Sequence, residues 1–171
     1  MATNWCDFER LANVVMEQFH ADAYSVHGPA HWRRVEQNAL WLSTKTGADV
    51  LVVRLFAWFH DSRRENDFTD PYHGRRGADY ATKLRGELFQ LEDAAFDLLY
   101  YACEWHTDRD HSQNVTVGTC WDADRLDLGR VGMIPSEEFM STDFGKEVAK
   151  VGSFYPFLNE ITDSLRKIDD R

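Results

Sequence analysis

Apolar residues along this chain recur mostly at spacings of three and four, the repeat of helices that press one face against a core. Residues 4–20 carry Trp5, Phe8, Leu11, Ala12, Val15 and Phe19 at those intervals and predict an amphipathic helix. Gly28-Pro29 punctuates the chain and opens a second helix to about Lys45, with Gly47 as its C-terminal stop. Asp49 is placed to cap a third, which carries the apolar run VLVVRLFAWF to about Arg63. Val50, Val52 and Val53 would also suit a buried strand, but an unbroken run of roughly ten residues or more favours helix. A loop, NDFTDPYHG, leads to a helix over about Arg75 to Phe89. Further helices cover roughly Leu91 to His106 and Val115 to Leu128, the latter ended by Gly129, Gly132 and Pro135. A last one is expected over Pro156 to Ile168, and only short alternations near 115–121 suggest strand. With no repeat, low-complexity segment or linker, the pattern predicts an all-α, single-domain helical bundle over residues 1–171.

Ionisable residues interrupt the apolar faces of four of these helices. His31, Val35, Ala39 and Leu42 share one face of the second helix. Val53, Phe56, Ala57 and His60 make a similar stripe on the third, with Asp61 rotated beside it by ~100°. Ala95, Leu99, Ala102 and His106 align on the fifth, and Val117, Cys120, Trp121, Asp124 and Leu128 on the sixth. A single histidine on an apolar face is more often a hydrogen-bonded core residue than a ligand. An unpaired buried carboxylate is strongly disfavoured, so histidines and aspartates converging together are hard to satisfy by mutual hydrogen bonds alone. A divalent ion satisfies them at once; imidazole and carboxylate suit Mn, Fe, Co, Ni or Zn, with Mg where more water is retained.

Composition narrows the setting. The 171 residues are 43% hydrophobic, with six tryptophans, six tyrosines and eleven phenylalanines, as in a globular chain. A formal charge of −10 argues against general nucleic-acid binding, which needs a basic surface. No apolar stretch approaches the ~20 residues that span a bilayer, and MATNWCDFER lacks the features of a signal peptide, so a cytoplasmic protein is expected. Cys6, Cys103 and Cys120 show no CxxC spacing; Cys103 and Cys120 read as small core residues. Exposed aromatics such as Trp5 or Phe154 would serve an interface as well as a core, which leaves an oligomer open.

The order His31, then His60-Asp61, then Asp124 resembles the H…HD…D signature of the HD-domain superfamily of metal-dependent phosphohydrolases. The contexts HGPAHWRRV, AWFHDS and WDADRLDLGRVG carry the resemblance over about residues 27–132. It implies a helical bundle around a metal and hydrolysis of a phosphate ester of a small molecule, such as a nucleotide or related phosphometabolite. His31, His60, Asp61 and Asp124 would then be the ligands. Asp122 is a rival for the last place, but Asp124 holds both the ADRL position and the apolar stripe. One ion is expected rather than two, with a small phosphorylated substrate as partner and attack by a metal-activated water as chemistry.

Catalytic candidates around that centre are Glu65, His73, His106 and Arg64. Glu65 lies one turn beyond the doublet if the helix continues, and reads equally well as a solvated acid paired with Arg63 or Arg64. His73 precedes a helix where a phosphate could bind; otherwise it is a loop histidine with no task. His106 points inward and could extend the site to a second ion. His111 reads as exposed, and His27 is separated from the second helix by Gly28-Pro29. Arg34 and Arg125, with Arg64, are candidates for phosphate contact through a bidentate fork; Arg125 equally suits a pair with Asp122. Two other functions compete: a di-iron oxygenase on the same scaffold, which needs additional ligands, and a non-catalytic nucleotide-sensing module. Residues 133–171 carry no legible role.

Overall fold

Helix starts and stops follow local chemistry closely. In a computed structural model describing residues 3–21, 24–152, 157, 159, 161–163 and 166, the order is β1 (Trp5–Cys6), α1 (Phe8–Glu17), α2 (Pro29–Thr46), α3 (Val50–Phe59) and α4 (His73–Leu84). Then come β2 (Phe89–Gln90), α5 (Asp93–Trp105), α6 (Val115–Arg125) and α7 (Asp143–Val151). Short 3-10 turns at Leu128–Val131 and Glu137–Phe139 bridge the last two helices. Asp7 caps α1 by accepting from Arg10 N, and Asp49 caps α3 by accepting from Leu51 N and Val52 N. Gly47 ends α2 in the left-handed conformation at φ 74°.

The fold is all-α, as the periodicity predicts, with corrections at the ends. The first helix starts at Phe8, because Trp5 and Cys6 pair antiparallel with Gln90 and Phe89. The helix expected to run to Phe89 stops at Leu84: Gly86 turns at φ 86° and frees the chain for that pairing. The third helix ends at Phe59, so His60 and Asp61 stand at and just beyond its C-terminus. The helix Asp143–Val151 was not anticipated. Thr142 caps it by accepting from Gly145 N, and Val148 and Ala149 face inward. The last helix expected, over 156–168, falls largely outside the described residues.

Helix α3 forms the axis of the bundle, packed against α1, α2, α4, α5 and α6. Apart from Arg54, every residue from Val52 to Phe59 is buried, which accounts for a run apolar on all sides. Trp32, Trp41, Trp121, Phe56, Phe59 and Phe89 fill the space around it. Trp121 donates through Nε1 to Ala102 O at 2.9 Å, so its polar atom is satisfied in the core. Among the described residues no helix is long and apolar enough to cross a membrane.

Candidate metal centre

Five helix ends meet at one place. His31 lies in the first turn of α2, His60 follows α3, His73 begins α4, His106 follows α5, and Asp124 sits in the last turn of α6. All four histidines and Asp61 are buried.

The hydrogen bonds fix how each imidazole faces. His31 Nδ1 lies 2.7 Å from Asp127 Oδ2. His60 Nδ1 lies 3.2 Å from Phe56 O and 3.1 Å from Ala57 O. His73 Nδ1 lies 2.6 Å from Asp70 O, and His106 Nδ1 2.7 Å from Cys103 O. These partners only accept, so Nδ1 carries the proton and each neutral ring turns a bare Nε2 inward. The Nε2 atoms then meet in facing pairs: His31 and His60 at 3.1 Å, His73 and His106 at 3.1 Å.

Asp61 lies between the pairs and faces each with a different oxygen. Its Oδ2 is 3.7 Å from both His31 Nε2 and His60 Nε2. Its Oδ1 is 3.2 Å from His73 Nε2 and 3.5 Å from His106 Nε2, and lacks a hydrogen-bond partner although buried. Asp124 Oδ1 completes the first pair at 3.2 Å from His31 Nε2 and 3.8 Å from His60 Nε2. Two opposed imidazole lone pairs repel at this distance, and an orphaned buried carboxylate oxygen is costly. A cation in each half removes both penalties, and imidazole with carboxylate suits a divalent transition ion.

Protons can relieve the strain only in part. Burial disfavours charge on His31, but hydrogen bonds with Asp124 and Asp127 outweigh it and raise its pKa above 6.5. Burial likewise opposes charge on His106, and Asp61 reverses the balance and raises it. For His60, burial prevails and lowers the pKa to about 3. Burial works against the charge of Asp61 and Asp124, yet the surrounding histidines hold both carboxyls well below the usual range. The centre thus favours anionic carboxylates and takes up protons on imidazoles that an ion would displace.

The four ligands expected from the H…HD…D pattern are brought together, and so are His73 and His106. The ligand set is therefore wider than the single-ion site the sequence reading favoured: of three overlapping sets among the described residues, two share Asp61 and the third, His60, His106 and Asp124, spans them. Arg64 reaches the edge, its Nη1 3.2 Å from His73 Nε2 and 3.6 Å from Asp61 Oδ1. Glu65 does not reach it. With α3 ended at Phe59, the Glu65 side chain is 74% exposed and faces Arg76 at 3.8 Å. Two arginines expected at phosphate are engaged elsewhere. Arg34 forks onto Asp127, Nε to Oδ1 at 2.7 Å and Nη2 to Oδ2 at 3.0 Å. Arg125 donates to the carbonyls of Asp110, Arg109 and Phe139, tying two loops together. Asp122, the rival ligand, points away and accepts from Ser141 N, Thr142 N and Thr142 Oγ1.

Sequence reasoning missed three residues here. His27 does precede a helix break, but the loop still delivers its Nδ1 to 2.9 Å from Asp61 Oδ2, while Trp32 Nε1 holds His27 O at 2.7 Å. Asp127 backs His31, and Arg130 pins the same corner through Val26 O at 2.9 Å and Asp127 O at 3.2 Å. Asp127 follows Asp124 by three residues, the one signal that would have placed it on the same side.

No protein-family model matches the chain, and no curated protein shows significant similarity to it. Among solved structures, it is similar to the crystal structure of a predicted HD superfamily hydrolase from an uncultured Thermotogales bacterium. The TM-score is 0.69 and the identity 24%, over 93% of this chain and 91% of the other. The all-α bundle of this chain therefore has the fold of that HD superfamily protein.

Proposed function

We propose that the chain is a metal-dependent phosphohydrolase that acts on a small phosphorylated compound, a nucleotide or related phosphometabolite. The observation that carries this reading is the pair of facing imidazole sets around one carboxylate, with more lone pairs than protons at its middle. Divalent ions held by His31, His60, Asp61 and Asp124, and by Asp61, His73 and His106, would supply Lewis acidity and a water of lowered pKa. The chain's own residues do the rest. Asp61 orients both halves, since one carboxylate faces both pairs.

A cavity of about 550 Å³ opens beside His73, lined also by Arg64, Phe68, Tyr72, Glu104, Thr107 and Asp108. Arg64 is held there by Nε to Asn66 O at 3.2 Å and Nη2 to Phe68 O at 2.9 Å. Its guanidinium, 3.2 Å from His73 Nε2, would bind phosphate oxygens beside the metal centre.

Metal-stripped protein resupplied with Mn, Mg, Co or Ni is assayed for phosphate release from a panel of nucleotides and phosphomonoesters. Release is expected only with an ion and is lost in Asp61→Asn. Arg64→Met should lower kcat/KM by about 10–100-fold, the worth of one charge-assisted hydrogen bond. Absence of hydrolysis under every ion removes the hydrolase reading. An oxidative enzyme with two irons is the second reading, favoured by the extra imidazoles of His73 and His106. Iron retained on purification, with substrate-dependent oxygen uptake and no phosphate release, would select it.

A further inference from the structure

We infer that the loop of residues 65–72 is a built recognition platform, on which Phe68 and Tyr72 hold a flat aromatic ring in the body of the phosphate ester. Esters without such a ring are poor substrates. The two side chains are thus specificity-determining, an inference that rests on the hydrolase reading above.

Large apolar side chains are unfavourable in water. Of the four most exposed among the described residues, two line the same cavity beside His73: Phe68, 87% exposed, and Tyr72, 75% exposed. Both stand outside the hydrophobic core. Neither side chain makes a hydrogen bond or ring contact among the described residues. A single exposed aromatic residue is ordinary, but two that meet at a cavity beside a candidate metal centre point to a ligand.

A loop that merely joined α3 to α4 would leave its tip free, and this one is fixed at both aromatic residues. Phe68 N donates to Asn66 Oδ1 at 2.8 Å, and Phe68 O accepts from Arg64 Nη2 at 2.9 Å. Asp70, between the two rings in sequence, accepts from Glu65 N at 2.8 Å and from Arg76 Nη2 at 2.7 and 2.8 Å. Arg76 Nη1 adds a bond to Pro71 O at 3.2 Å. Tyr72 is the one non-glycine residue with positive φ among those described, at 69°. That conformation disfavours a bulky side chain and suits glycine, so the fold carries a strain there and keeps the ring. A platform ordered before binding loses little conformational entropy when a ligand stacks on it.

The same loop serves the other end of the ligand. Arg64, bonded to Asn66 O and Phe68 O, lines the cavity together with Phe68, Tyr72 and His73. A volume of about 550 Å³ admits a small molecule that carries both a phosphoryl group and a ring system. Stacking on an aromatic side chain tolerates many rings, because every nucleobase has a π-face. Discrimination is therefore expected between aromatic and aliphatic bodies, and far less among bases.

The test compares the 5′-monophosphates of adenosine, guanosine, cytidine and uridine with ribose 5-phosphate, which lacks only the base. With the Mn²⁺-loaded full chain, kcat/KM for each nucleoside ester should exceed that for ribose 5-phosphate by about 5–100-fold. Phe68→Ala and Tyr72→Ala should each lower that ratio by about fivefold or more, and Tyr72→Phe should keep it. A merely structural role would lower both rates together, and an unchanged ratio in both alanine variants would overturn the inference. So would a wild-type ratio near one. Absence of hydrolysis with every ester would remove the hydrolase reading instead, and calorimetric affinities for adenosine 5′-monophosphate and ribose 5-phosphate then test the platform alone. Tighter binding of the nucleoside ester, lost in Phe68→Ala, upholds it; equal or undetectable binding of the two overturns it.

Discussion

Gly74→Ala probes the packing that aims His106. Gly74 is buried in the first turn of α4, against the end of α5. A methyl group there would overlap the backbone oxygen of Cys103 and stand 3.0 Å from His106 Nδ1. That oxygen is the acceptor that orients His106, at 2.7 Å, so it is not free to retreat. Two effects oppose each other. Alanine in place of glycine gains at most ~1 kcal/mol of helix propensity. Overpacking against backbone costs ~1–3 kcal/mol, since contact at about 3.5–4.0 Å requires α4 and α5 to separate. The net is a loss of about 1–2 kcal/mol. With a urea m-value of about 2 kcal/mol/M, the unfolding midpoint of the metal-free protein falls by roughly 0.5–1 M. The same displacement tilts His106, so Mn²⁺ binding that uses His106 weakens. An unchanged or raised midpoint with Mn²⁺ binding intact would refute the reasoning, because helix propensity would then act unopposed and α4 could not lie this close to α5.

Other outcomes follow from the same geometry. Asp122→Asn disturbs three hydrogen bonds that hold residues 141 and 142 ahead of α7, and should destabilise by about 1–3 kcal/mol in thermal or urea unfolding without reducing metal content. Ion affinity should depend on pH with a definite sign. Ions compete with the protons on His31 and His106, whose pKa values are raised, so affinity in titrations falls as pH drops through a range above 6.5. Affinity that is flat or rises on acidification would contradict those assignments. Chelation should lower the melting temperature, because an ion at 100 times its Kd contributes about 2.7 kcal/mol to the folded state; scans with and without EDTA measure it.

The helices were legible where side-chain chemistry is local. Gly28-Pro29, Gly47 and Asp49 mark boundaries by conformation and capping alone, and the structure keeps all three. Boundaries set by distant pairing were not. Nothing near Leu84 announces that residues 89 and 90 will pair with residues 5 and 6. For α7 the local signal was present, a Thr142 cap and inward Val148 and Ala149, but it is only nine residues long and follows two glycines and a proline. At the site, His31, His60, Asp124 and His106 were legible because each continues an apolar stripe, and Asp61 because it directly follows His60. His27 and His73 were harder, since loops deliver them: Tyr72, left-handed at φ 69°, turns the chain so that Asp70 O meets His73 Nδ1. Arginine destinations were the least legible. Arg34 and Arg125 lie next to motif residues in sequence, yet a long side chain chooses its acceptor from whatever the fold brings near.

The most direct measurement is the number of ions bound per chain after equilibration with Mn²⁺, in wild type and in Asp61→Asn, by elemental analysis. A carboxylate that faces both imidazole pairs predicts a value approaching two in wild type and below one in the variant, with fold retained by circular dichroism. A wild-type value near zero, or two ions still held by Asp61→Asn, would contradict the account.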